Sequence, residues 1–164
     1  LELLWYTGAR VSEVINSRVG DITDTGIVLR NLKQRRTDYK HVLLPKRFRE
    51  RLKATVEGQP QQALLFPSPR NPNKPISRVW AWKIIKRAAM EAGVTKTRMD
   101  GFDVRLVPAW PHTLRHGYAT ALLLQGVPLT AVQRQLGHSN IMSTAVYTQI
   151  ADPHLSHILE EVEI

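Results

Sequence analysis

Residues 112–137 read HTLRHGYATALLLQGVPLTAVQRQLG, and this stretch decides the fold class. Apolar residues recur at helical spacing from Thr113 to Gln125, and Gly126 ends the run. Pro128 then opens a second helix at a first-turn position, and Gly137 closes it in the C-terminal capping role. Two helices joined by two residues, Gly126 and Val127, predict a helical domain. Downstream the same period continues: Ile141 to about Ile150 predicts another helix. Pro153 opens an amphipathic piece with Leu155, Ile158, Leu159 and Val162 on one stripe.

Upstream, Ile76 to Ala92 predicts a long helix capped by Ser77 and ended by Gly93. Val79, Trp80, Ile84, Ile85, Ala88 and Ala89 supply its apolar positions, and the four tryptophans are expected as core or covering residues. Residues 46–57 predict a helix with an exposed basic face. Gly26 to Leu29 and His41 to Leu44 are short apolar runs around a polar stretch, the pattern of a hairpin, with Pro45 as its stop. Pro60 to Pro75 reads as loop because of its prolines, and Thr95 to Trp110 as irregular. Leu1 to Tyr6 leads to a break at Thr7-Gly8, and Val11, Val14 and Ile15 resume helical spacing. Leu1 lies inside an apolar run, so residues are expected upstream of it. The reading is one domain over 1–164, mainly α with a small antiparallel sheet, and 151–164 as a C-terminal tail helix.

Composition narrows the function. The 164 residues carry 23 Lys and Arg against 14 acids, a formal charge of +9. Arg30 to Lys53 holds ten basic residues and two acids, and Arg70 to Arg98 holds eight and one. The last fourteen residues carry four acids and no Lys or Arg. Basic blocks of this density suit a polyanion, because phosphates neutralised by cations release counterions. There is no cysteine, which excludes disulfides, thiolate metal sites and a cysteine nucleophile together. No apolar run approaches the roughly 18 residues of a membrane span. No glycine-rich phosphate loop, His-Glu-x-x-His or clustered carboxylate set is present, so neither a metal nor a nucleotide cofactor is expected.

Phosphoryl chemistry in this chain must therefore rest on cations. His112 and Arg115 stand at i and i+3 at a helix start, where the helix N-terminus adds attraction for an anion. Arg10 follows the break at Thr7-Gly8-Ala9, Lys33 lies in the hairpin turn, and His138 follows the capping Gly137. Tyr147 comes nine residues after His138 in an otherwise small or apolar helix. Arg binds phosphate bidentately, His moves protons near neutral pH, and Lys can protonate a leaving alkoxide. A tyrosine becomes a covalent nucleophile when cations stabilise its phenolate.

Three ordered segments bear a resemblance. Thr-Gly-Ala-Arg-Val-Ser-Glu-Val at 7–14 resembles the first arginine box of the tyrosine recombinases, the phage integrase family. His-Thr-Leu-Arg-His-Gly-Tyr-Ala-Thr at 112–120 is similar to their His-x-x-Arg box. Leu-Gly-His-Ser-Asn-Ile-Met-Ser-Thr-Ala-Val-Tyr at 136–147 resembles the segment from the third box to the nucleophile. The resemblance implies that Arg10, His112, Arg115 and His138 hold a scissile DNA phosphate, that Tyr147 attacks it, and that Glu13 supports the site. It implies the family's mainly α catalytic fold with a three-stranded sheet, of which two strands are visible, and a DNA-clamping domain upstream.

The stretch from Arg30 to His41 is longer than the family's usual turn, so Lys33 is favoured as the catalytic lysine, with Lys40 the competitor. Arg35, Arg36, Lys40, Arg78 and Lys83 are expected to contact DNA. The implied reaction is site-specific recombination of double-stranded DNA through a 3′-phosphotyrosyl link. A homo-oligomer is implied, a tetramer in synapsis, with 151–164 docking on a neighbour. A cytoplasmic, prokaryotic or phage-encoded setting follows. A topoisomerase of the same chemistry is one alternative. A non-enzymatic helix-turn-helix DNA-binding module, read from 127–147, is the other.

Overall fold

The computed structural model describes residues 1–31, 38–100 and 103–137. Lys33, Arg35, Arg36, His138 and Tyr147, the expected helix at 141–150 and the tail at 151–164 lie outside the described residues. The chain opens with two short helices, α1 (Glu2–Thr7) and α2 (Val11–Ile15). A hairpin of β1 (Gly26–Asn31) and β2 (Asp38–Leu43) follows, then α3 (Lys46–Thr55). Next come β3 (Pro67–Ser68), β4 (Asn71–Pro75), α4 (Arg78–Glu91), β5 (Thr95–Asp100) and β6 (Asp103–Pro108). The described part ends with α5 (Pro111–Leu124) and α6 (Leu129–Leu136).

β1 and β2 pair antiparallel from Gly26↔Leu43 to Asn31↔Asp38. Alternation along a strand sends Ile27 and Leu29 of β1 and Val42 of β2 into the core, each at most 1% exposed. They pack with Leu3, Leu4, Val14, Phe48 and Ile85, so the hairpin is the floor on which α1, α2, α3 and α4 rest. A second cluster, Ala119, Val132 and Leu136, joins α5 to α6. The expected α5–α6 punctuation is present: Pro128 precedes the first helical residue of α6, and Gly137 caps its end with φ 69°.

Four expectations are corrected. The prolines of 60–75 do not exclude strands: β3 and β4 form a short bulged hairpin in which Pro67 faces Pro75. Proline is tolerated at such edges because no interior ladder needs its missing N–H. Thr95 to Pro108 is regular, with β5 and β6 paired over six positions from Thr95↔Pro108 to Asp100↔Asp103. In β5 the alternation sets Thr against Lys and Arg and lacks apolar contrast, and in β6 Leu106 and Val107 run together and blur the period. Every sheet among the described residues is two-stranded, where a three-stranded one was expected.

The fourth correction concerns α4. Ser77 Oγ accepts from the Trp80 N–H at 3.1 Å, the expected cap. The buried stripe, however, is Ala81, Ile85 and Ala89 at i, i+4 and i+8. Val79, Trp80, Trp82 and Ile84 stand exposed outside that stripe. Small residues face the core because α2 packs close against α4, and the large ones are displaced outward.

Candidate active site

The site is built where α1 stops. Gly8 takes the left-handed conformation at φ 56° that ends the helix. The buried Thr7 Oγ1 donates to the Leu3 carbonyl at 2.5 Å and accepts from the Ala9 N–H at 3.2 Å, which fixes the exit of the chain. Arg10 then caps α2. Its own N–H donates to Glu13 Oε2 at 3.1 Å, and its Nη1 donates to Glu13 Oε1 at 2.8 Å. A carboxylate three residues into a helix reaching back to the cap satisfies an N–H that the helix cannot.

Glu13 is fully buried and does not stand alone. Lys40 Nζ, only 10% exposed, reaches its Oε2 at 2.9 Å. The same ammonium donates to the carbonyl of Leu136 at 2.9 Å, at the last turn of α6. Arg115, buried on α5, donates from Nη1 to the Gly8 carbonyl at 2.6 Å and from Nη2 to that same Leu136 carbonyl at 3.1 Å. Four chain segments, separated by up to 107 residues, thus meet through Arg10, Glu13, Lys40 and Arg115. Three cations surround one carboxylate, so the cluster carries surplus positive charge.

Proton affinities follow from that imbalance. Burial pushes the Glu13 carboxyl up, but the Lys40 ammonium and the hydrogen bonds from Lys40 and Arg10 outweigh it and hold it below the usual glutamate range. Lys40 is lowered: burial acts first, Glu13 opposes it, and the Arg115 and Arg10 charges lower it further.

Beside it lies a cleft of about 700 Å³ lined by Arg10, Arg78, Trp82, Trp110 and His112 among others. His112 is exposed at the start of α5, one residue after Pro111, with the first-turn N–H groups beside it. Of the expected residues, Arg10, Glu13 and Arg115 are therefore brought together, and His112 and Arg78 rim the adjacent cleft. Lys83 is exposed on α4 and does not line the cleft. Lys40, expected as a phosphate contact in the hairpin, faces inward onto Glu13. The carbonyls of Gly8 and Leu136 carry no side-chain signature and were not legible as anchors. Among the described residues no group of three or more His, Asp or Glu is placed to hold a metal ion.

The left-handed Gly8 gives a prediction. A Cβ there would lie 2.5 Å from Tyr118 Cδ1 and 2.6 Å from Leu136 Cδ2. Gly8→Ala should cost about 1–2 kcal/mol for the backbone conformation and about 1–3 kcal/mol more for overpacking. Urea unfolding should show a lower midpoint with unchanged m-value.

The fold thus gathers two arginines, a lysine and a carboxylate beside a basic cleft. Comparison with known proteins places the chain in a family. The profile of the phage integrase family matches residues 1–154, and the chain belongs to that family. It is 32% identical over 165 residues to tyrosine recombinase XerA of Thermococcus kodakarensis, covering 99% of this chain and 54% of that protein. It is 35% identical over 170 residues to tyrosine recombinase XerD of Staphylococcus saprophyticus, covering 98% and 52%. The chain thus spans about half the length of these relatives. In fold it is similar to the XerA recombinase crystal structure, with a TM-score of 0.72, 24% identity and coverage of 97% and 54%. The catalytic domain of bacteriophage HP1 integrase superposes with a TM-score of 0.61 at 19% identity, covering 97% and 77%.

Proposed function

We propose that this chain is the catalytic domain of a site-specific DNA recombinase that cuts and rejoins strands through a 3′-phosphotyrosyl intermediate. The observation that carries the reading is the Arg10–Glu13–Lys40–Arg115 cluster, whose surplus charge lies beside a cleft rimmed by His112 and Arg78. In the reaction the Tyr147 phenol passes its proton to a neighbouring histidine, His112 or His138, its oxygen forms a bond to phosphorus and the bond to the 5′-oxygen breaks. That oxygen leaves with a proton supplied by Lys33. Attack by a 5′-hydroxyl of a partner duplex reverses the step. One phosphoester replaces another, so no metal or nucleotide is needed to drive it. Arg10 and Arg115 stabilise the charge that builds on the phosphate, with His112 and His138 as further donors.

Double-stranded DNA is the proposed partner, with Arg35, Arg36, Arg78 and Lys83 as backbone contacts. A related fold, the XerH site-specific recombinase, was crystallised on a palindromic difH substrate in a post-cleavage complex. Assembly as a tetramer, with residues 151–164 of each copy docked on a neighbour, completes the proposal. The acidic tail would avoid DNA and suit a basic neighbour. No helix among the described residues is long and apolar enough to cross a membrane, which is compatible with work on DNA in the cytoplasm. A topoisomerase would relax supercoils without joining two sites, and a mere binding module would leave the buried cluster without a role.

The test uses a pool of nicked duplexes randomised across the central base pairs. A denaturant-resistant protein–DNA adduct should be recovered, and equally well with EDTA present. Binding without any adduct would favour the non-enzymatic module. An adduct that appears only with added divalent metal would contradict the proposed chemistry.

A further inference from the structure

We propose that Lys40 is a positioning residue: it straps the carboxyl end of α6 to the Arg10–Glu13 pair and so sets where His138, two residues beyond Leu136, is presented. The inference rests on the recombinase reading and assigns Lys40 a role distinct from phosphate contact and from leaving-group acid. Three observations support it. Lys40 bridges a buried carboxylate and the Leu136 carbonyl, each at 2.9 Å, joining β2 to a helix end 96 residues away. Gly137 lies directly over the lysine stem, since a Cβ there would meet Lys40 Cδ at 2.8 Å. The left-handed turn that launches His138 is therefore packed on this side chain.

A second tie runs parallel to the first. The Gln135 side chain donates from Nε2 to the Leu43 carbonyl at 2.9 Å and accepts from the Leu43 N–H at 3.4 Å, like an added strand on the edge of β2. Residues 135 and 136 are thus held to β2 at two points, three residues apart on that strand. The Lys40 ammonium is held by two protein acceptors, Glu13 Oε2 and the Leu136 carbonyl.

Two measurements test the strap. In the free protein, Lys40→Met should move the NMR resonances of the Leu136 carbonyl, the Gly137 amide and the His138 imidazole, while thermal unfolding stays cooperative. On a nicked duplex recovered from the randomised pool, Lys40→Met should cleave about 100-fold more slowly, the scale of an ångström-level misplacement. Replacing the bridging 5′-oxygen by sulfur should not restore it, because a better leaving group does not reposition a phosphate ligand. Lys33→Ala should be restored by the same substrate. Gln135→Ala, at a half-buried position that leaves the Lys40–Glu13 pair intact, should give the same resonance shifts in smaller degree. Rescue of Lys40→Met by sulfur would make Lys40 the acid and overturn the inference. Wild-type cleavage with unmoved resonances would overturn it as well. Failure of the unaltered protein to form any adduct would sink the recombinase reading instead, and the resonances alone would still decide whether the strap exists.

Discussion

Replacing Tyr147 by Phe is expected to abolish covalent capture of DNA and leave DNA binding within about twofold. The substitution keeps the ring and its packing and removes one oxygen, the atom proposed to become the phosphoester. Loss of a covalent nucleophile commonly costs about 10⁴-fold or more in rate. Non-covalent affinity rests on cations spread over the basic surface, and these are untouched. The measurement is single-turnover adduct formation on a nicked duplex, with gel-shift affinity in parallel. A Phe variant that still yields a denaturant-resistant adduct would take Tyr147 out of the role.

The second large effect belongs to Arg115. Arg115→Met removes the donor to the Gly8 carbonyl and one of two donors to the Leu136 carbonyl. Breaking hydrogen bonds from a buried charge costs about 1.5–3 kcal/mol each, so a loss of about 3–5 kcal/mol is expected. Cleavage should fall by a further 10²–10³-fold, roughly the effect of deleting one preorganised donor to developing charge. Arg115→Lys should recover little of either, because a single nitrogen does not reproduce the separated Nη1 and Nη2 donors of the planar fork. Urea denaturation and single-turnover cleavage under fully folded conditions separate the two effects. A variant that loses stability but cleaves normally would reduce Arg115 to a structural tie.

Much of this fold was written locally. Ile27 and Leu29 against Val42 and Leu44 mark the hairpin, and Gly126, Pro128 and Gly137 punctuate α5 and α6, because each signal is carried by neighbouring residues. What failed had weak or ambiguous local signal. The 95–108 hairpin sets threonine against cations in β5 and runs Leu106 and Val107 together in β6, so its period is weak. The helix at 78–91 has more large apolar residues than its buried stripe can use, and only packing decides that Ala81 wins over Trp80.

The candidate site divides in the same way. Arg10 and Glu13 are three residues apart, and a helix start brings them together without help from elsewhere. Lys40 could have been placed by parity: it lies two residues from Val42 on β2, hence on the same inward face. The meeting of Arg115 with Gly8 and of Lys40 with Leu136 depends on tertiary closure over about a hundred residues, and no local pattern encodes it.

The central claim is that Tyr147 carries the 3′ end of a cut DNA strand. Residues 135–164 hold no Lys or Arg, so trypsin leaves them in one peptide, and Tyr147 is the one tyrosine among them. Mass spectrometry of nuclease-trimmed, trypsin-digested adduct should find a nucleotide attached through its 3′-phosphate to that peptide, with fragmentation placing it at Tyr147. A nucleotide on any other residue, or one joined through its 5′-phosphate, would contradict the account.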